Sequence, residues 1–318
     1  MFRPLITIRR IPNINFMSLH KAGFVLSLIL TLGSIVLFLV EGLNYGIDFS
    51  GGTIIEARTT GAPADLAAMR KQLDGLGLGD VSLQGFGSPN DVLIRLQRQP
   101  GGDAAQEQAV QKVKQSLGTT VDYRRTEVVG PKVGGELIRA GTIATILALF
   151  AIAVYVWFRF EWQFGVGAML STLHDTITTV GLFALLQIEF NLTTLAAILT
   201  IAGYSINDTV VIYDRVRETM RKYRSMEFGA LINKSLNETL SRTILTVSTV
   251  AIMVLSLLFF GGEVLRGFSI AMLWGVVIGT YSSLFIAAPL LYYIRPKRAA
   301  AGKEDAAEET GTAASRSP

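Results

Sequence analysis

Hydrophobic residues in this 318-residue chain are gathered into long tracts. Residues 22–40, 140–158, 243–262 and 267–294 carry no charged side chain. Two more tracts, 162–188 and 190–213, are apolar apart from His174, Asp175 and Asp208, with Glu189 between them. Lipid offers backbone groups no hydrogen-bond partner, so apolar runs of about 20 residues cross a bilayer as continuous helices. The pattern predicts six transmembrane helices: the first over 22–41, the other five within 139–294. The first reads as an uncleaved span rather than a signal peptide. Its 19-residue run exceeds an h-region of about 7–15 residues, and no A-x-A site follows. Arg9-Arg10 reads as a basic flank of that span, not a twin-arginine signal.

Between the first two spans the pattern changes. Residues 53–58 alternate as a strand does, and 64–75 place Leu66, Met69 and Leu73 at helical spacing behind Pro63. Residues 81–86 and 92–96 are short alternating strands joined by a Gly-Ser-Pro-Asn turn. Residues 104–117 set Ala109, Val110, Val113 and Leu117 on one helix face, and 121–129 is a last strand. The order β-α-β-β-α-β is the ferredoxin-like one. The expected fold is therefore a multi-pass α-helical membrane protein of six transmembrane helices, with a small ferredoxin-like α+β domain between helices 1 and 2. No paired carboxylates, triad or anion loop occurs in 42–138, so that domain reads as a binding or docking module.

Composition narrows the function. The chain is 50% hydrophobic and 17% charged, with mean hydropathy +0.43, whereas soluble domains carry roughly 25% charged residues. A disordered chain is excluded, and an ordinary soluble enzyme is disfavoured. The absence of Cys excludes disulfides, thiolate zinc, iron–sulfur clusters and cysteine nucleophiles. His20 and His174 are the two histidines and form no HExxH pair, and no P-loop occurs. The chain is expected to be no enzyme and to hold no cofactor and no metal.

Basic residues set the orientation. Four lie in the N-terminal segment 1–21, seven in the loop 214–242 and five in the tail 295–318. On the opposite side the short turn 261–266 has only Arg266. Both termini are expected in the cytoplasm and residues 42–138 in the periplasm. The loop, with Val216, Met220, Phe228, Leu231, Ile232 and Leu236 among its charges, reads as an amphipathic interfacial helix. The tail reads as disordered. Residues 43–138 hold 10 basic and 11 acidic side chains, which disfavours nucleic acid as a partner. The overall +4 belongs to the cytoplasmic face, where it suits membrane lipid.

The polar residues inside the tracts carry the chemistry. A charged Asp near a span centre costs about 2.5–3.5 kcal/mol on insertion scales. Asp175 sits there beside His174, with Ser171, Thr178 and Thr179 on its helix face. It reads either as glue between helices or as a proton relay. Asp208, next to Asn207, shares a face with Tyr204 and Arg215. Arg242 opens the fifth tract at a comparable depth, so the two could pair. Its plainer reading is a positively charged flank. The last span has a small residue at every fourth position: Gly267, Ala271, Gly275, Gly279, Ser283 and Ala287. That stripe predicts a close packing seam, within the chain or against a partner.

Six segments together resemble one family: GIDFSGGT (46–53), VGPKVGGEL (129–137), LHD (173–175), IAGYSINDTVVIYDRVRE (201–218), SLNETLSRT (235–243) and GTYSS (279–283). They resemble SecF, the smaller membrane subunit of the bacterial SecDF protein-export complex, itself similar to RND transporters. The resemblance implies an inner-membrane accessory subunit of the Sec translocase. It would pair with SecD as a heterodimer, act with the SecYEG channel on translocating preprotein, and draw on the proton-motive force. It also implies that Asp208 and Arg242 match the family's intramembrane Asp and Arg associated with proton flow. His174 and Asp175 match its HisAsp motif, and Asn207 lies within the Asp208 motif. The coupling ion is expected to be H⁺, with Na⁺ as the other candidate. A stand-alone RND-like proton-coupled exporter is the main alternative, disfavoured because six helices are half of that plan. A pure scaffold and an intramembrane aspartyl protease using Asp175 and Asp208 are further alternatives, the last lacking any GxGD motif.

Overall fold

A computed structural model describes residues 13–79, 81–85 and 88–296. The expected tail disorder, the N-terminal flank through residue 12 and part of the 87–90 turn therefore lie outside the described residues.

The first helix, α1 (Phe16–Val40), starts ahead of its apolar tract because Asn15 caps it, accepting the Ser18 N–H at 3.2 Å. Its buried positions are Phe16, Gly23, Ser27 and Ser34, while most of its large aliphatic side chains face outward. Lipid is as apolar as leucine, so small residues that let backbones approach occupy the inner face. Gly23 lies under Phe285, and Gly181 of a neighbouring helix lies under Ser34.

The intervening domain comprises α2 (Ile47–Ser50), β1 (Gly52–Thr59), α3 (Leu66–Asp74), β2 (Val81–Gly85), β3 (Asp91–Gln97), α4 (Gly102–Leu117) and β4 (Val121–Val129). The sheet is antiparallel in the order β2-β3-β1-β4, with Ile55 opposite Ile94 and Thr126. This is the ferredoxin-like arrangement that the element order implies. Alternation along β3 buries Val92, Ile94 and Leu96 with Ile55, Leu73 and Val113. Asp65, rather than Pro63, sets the start of α3 by accepting the N–H groups of Ala67 and Ala68 at 3.1 and 3.0 Å. Gly52 has φ +148°, and a Cβ there would strike the Leu96 carbonyl oxygen, so only glycine fits where the chain enters β1.

The remaining spans are α5 (Pro131–Arg159), α6 (Trp162–Leu186), α7 (Leu192–Lys222), α8 (Phe228–Phe260) and α9 (Gly262–Ser282). The last continues through a π-helical turn, Ser283–Ala287, into α10 (Ala288–Ile294). Among the described residues, six helices are long and apolar enough to cross a membrane. Pro289 lacks the N–H that would bond the Phe285 carbonyl, and the widened turn sits immediately before it.

The stretch 214–242 differs from expectation. It is no separate interfacial helix: α7 continues to Lys222 and α8 begins at Phe228. Val216, Phe228, Leu231, Ile232 and Leu236 are buried in a core shared with Phe160, Phe164 and Tyr213. A helix laid on a membrane and one packed on its neighbours present the same amphipathic pattern, so charge spacing alone misassigned this stretch.

Candidate functional site

The site lies where α6, α7 and the end of α9 meet. The small-residue stripe makes that junction possible. Gly267 lies 3.2 Å from Thr194 measured from an added Cβ, Gly275 lies under Ile201, and Gly279 would meet Ser205 Cβ at 3.1 Å. Below them Ser283 Oγ is 2.7 Å from Thr209 Oγ1, and Tyr213 donates its hydroxyl to the Ala287 carbonyl at 3.1 Å. Ala271 is fully buried in the cluster with Ile198 and Ile201. The stripe is thus a seam within the chain, between two helices that run parallel.

Asp175, midway along α6, is completely buried. Its Oδ2 accepts hydrogen bonds from Ser205 Oγ at 2.5 Å and Ser282 Oγ at 2.7 Å. Its Oδ1 lies 3.0 Å from His174 Nδ1. Ser171, one turn earlier, donates to Ser282 Oγ at 2.8 Å. The Asp175 carboxylate thus contacts polar side chains on three helices, His174 on α6, Ser205 on α7 and Ser282 on α9. Thr178 and Thr179 share its face but donate to the Asp175 backbone carbonyl, at 3.2 and 2.7 Å. His174 Nε2 is buried with no hydrogen-bond partner among the described residues.

Asp208, on α7, is also buried but differently satisfied. Its Oδ1 accepts Thr243 Oγ1 at 2.8 Å, while Oδ2 is buried with no partner among the described residues. Asp208 and Arg242, whose comparable depth left a pair open, form no ion pair among the described residues. Arg242 lies on the exposed side of α8, and Thr243 takes the place facing Asp208. Successive helical residues turn by about 100°, so equal depth does not bring two side chains together. Asn207 is exposed and outside the cluster. Arg215 is drawn away to Glu238 and Glu218, both at 2.7 Å.

Sequence reasoning missed Ser205, Ser282 and Thr243 as site residues. The available signal was the set of hydroxyls embedded in segments 201–218, 235–243 and 279–283, in register with the stripe. Among the described residues no three His, Asp or Glu side chains converge to hold a metal ion.

The model for the protein export membrane proteins SecD/SecF, C-terminal, matches residues 109–297, and that for the SecD/SecF GG motif matches residues 36–62. The chain belongs to the SecF family. It is 45% identical over 294 residues to the protein translocase subunit SecF of Rickettsia rickettsii, covering 89% of this chain and 94% of the relative. It is 45% identical over 304 residues to that of Cereibacter sphaeroides, covering 93% and 94%. Among solved structures, SecDF from Thermus thermophilus, a translocon-associated membrane protein, superposes with TM-score 0.76 at 33% identity, over 92% of this chain and 40% of that one. SecDF in a super-membrane-facing form superposes with TM-score 0.71 at 32% identity, over 98% and 41%. The chain thus spans about two fifths of those SecDF chains. Family membership makes it a membrane protein with an accessory role in Sec translocation.

Proposed function

We propose that the chain pairs with a SecD-type subunit in the bacterial inner membrane. There it uses the proton-motive force to promote late-stage export of preprotein through SecYEG, with both termini cytoplasmic and residues 42–138 periplasmic. The observation that carries this reading is the contrast between two buried acids on one helical hairpin: both carboxylate oxygens of Asp175 have side-chain partners, whereas Asp208 keeps one oxygen without a partner among the described residues. Arg242 is exposed on the adjacent helix, where a neighbouring subunit could meet it. The solved SecDF chains, more than twice as long, are consistent with a second half completing it.

The spacing of the oxygens favours H⁺ over a metal cation at Asp175. Ligands at about 2.0–2.1 Å around octahedral Mg²⁺ stand about 2.9 Å apart, and those around larger ions farther. The oxygens here lie 2.5, 2.7 and 2.8 Å apart, which is hydrogen-bond contact. The test is Asp208→Asn in vesicles holding the complete complex. Stimulation of export by an imposed proton gradient should disappear, and a sodium gradient should not replace it. Unchanged proton-dependent export would end this reading.

A further inference from the structure

The outer domain is fastened to the turn between α6 and α7, residues 187–192. Phe190 N donates to the Asn44 carbonyl at 2.7 Å, and Gly46 N donates to the Phe190 carbonyl at 2.9 Å. Asn44 Nδ2 donates to the Gln187 carbonyl at 3.0 Å. Asp48 Oδ2 accepts Leu192 N at 3.0 Å, satisfying one of the free N–H groups that open α7. From the sheet, Arg95 Nη1 reaches both carboxylate oxygens of Glu189 at 2.5 Å. The Phe49 and Phe190 rings stack at 5.7 Å. Gly46 has no room for a side chain because Glu189 and Asn191 lie against it. The first of the six shared segments, 46–53, thus has a mechanical role that its composition does not disclose.

The two helices leaving this turn carry the buried acids. Asp175 lies eleven residues before Leu186, or about 16 Å along α6, and Ser205 and Asp208 lie on α7. Hydrogen bonds weaken steeply beyond about 3.2 Å. A displacement of about one ångström along the line of the 2.5 and 2.7 Å bonds that Asp175 accepts would therefore stretch both past that limit.

We propose that the 187–192 turn is a rigid coupling, with Arg95 and Glu189 as its positioning residues. Through it the outer domain and the α6–α7 hairpin move as one body. Displacement of the domain then reaches the Asp175 cluster and Asp208 directly. The inference rests on the proton-coupled reading above. Arg95 and Glu189 are only 12% and 24% exposed, and breaking a largely buried pair by removing one partner leaves an uncompensated charge. The coupling therefore depends on both residues.

The test uses the full chain in its complex. Arg95→Glu and Glu189→Arg should each lower export at least fivefold at equal protein level. The double reversal should recover at least half of the lost activity, a rescue that mere loss of packing would not give. The chain has no cysteine, so spin labels at Glu107→Cys on α4 and Thr193→Cys on α7 are its only two. Their distance distribution should be narrow and identical with and without a proton gradient, and should broaden in Arg95→Glu. A distance that changes on energisation would overturn the proposal, since the turn would then be a joint. Normal export by Arg95→Glu, or no recovery in a folded double variant, would also overturn it. Asp208→Asn separates the two ideas. If it leaves proton-dependent export intact, the proton reading fails whatever the turn does. If it abolishes export while Arg95→Glu does not, the coupling alone fails.

Discussion

The same substitution, glycine to alanine, should have opposite effects at two positions of the seam helices. Gly203 on α7 is exposed, and a Cβ built there meets nothing within 4 Å. Gly275 on α9 is the contrary case: its Cβ would fall among Cγ1, Cγ2 and Cδ1 of Ile201. Ile201 is 1% exposed, and its β-branched side chain is stiff at χ1, so it has little freedom to withdraw. Replacing a mid-helix glycine by alanine contributes about 0.8–1 kcal/mol at either site. Overpacking a close-fitted contact costs about 1–3 kcal/mol, and only Gly275→Ala incurs it. The propensity gain cancels between the variants, so they should differ by about 1–3 kcal/mol, with Gly203→Ala more stable than the parent. Equilibrium unfolding in detergent, followed by far-UV circular dichroism, measures the difference. Two variants agreeing within about 0.5 kcal/mol, the scatter of neutral surface changes, would show that the seam yields and that stripe and partner are not tightly fitted.

Two further outcomes follow from the polar contacts. In the outer domain the Arg58 guanidinium donates to both oxygens of Asp91 at 2.5 and 2.6 Å, with Ser88 at 2.8 Å, and holds that carboxyl well below the usual carboxylate range. A depressed folded value gives stabilisation that is complete above the unfolded value of about 3.9 and is lost as pH falls through the folded one. Amide-exchange protection of β1 and β3 should therefore survive to about pH 4 and fall below it. In Arg58→Gln it should already be weaker at neutral pH, and equal protection in both proteins would refute the account. In the membrane core, Asp175→Leu removes the acceptor of the Ser205 hydroxyl, and leaving a buried hydroxyl unpaired costs about 1–3 kcal/mol. Asp175→Asn keeps an acceptor oxygen, so thermal stability in detergent should fall in the order parent, Asn, Leu. A leucine variant as stable as the asparagine one would show that these hydrogen bonds do not hold the junction.

The spans and the outer domain were legible because each rests on a local rule. An uncharged run near bilayer length is constrained to be helix. Alternation in 53–58, 81–86, 92–96 and 121–129 marks strands that bury one face, and the observed sheet order is the one that this succession of elements builds. The misreadings share another cause. Whether the apolar face of 214–242 meets lipid or protein, and whether residue 242 or 243 faces Asp208, depends on how one helix is rotated against another. No single-chain periodicity encodes that rotation. Ser205 and Ser282 stayed hidden for the same reason: each is an ordinary small residue until the Gly279 contact brings the two helices into register around Asp175.

Under the proposed proton coupling, the two acids would divide the work of the cycle. A group that exchanges protons needs an oxygen not already claimed by a fixed donor, and Asp208 Oδ2 is such an oxygen. A group with both oxygens already in contact with His174, α7 and α9 is less open to exchange, and its bonding registers how those helices are aligned. On the proton-coupled reading Asp208 is therefore the exchanging group and Asp175 the alignment sensor. Ser205 on the same helix as Asp208 links the two, because any motion of α7 that repositions the exchanging carboxylate also moves a donor of the sensing one. That proposed division would account for two buried carboxylates of unlike surroundings on one hairpin.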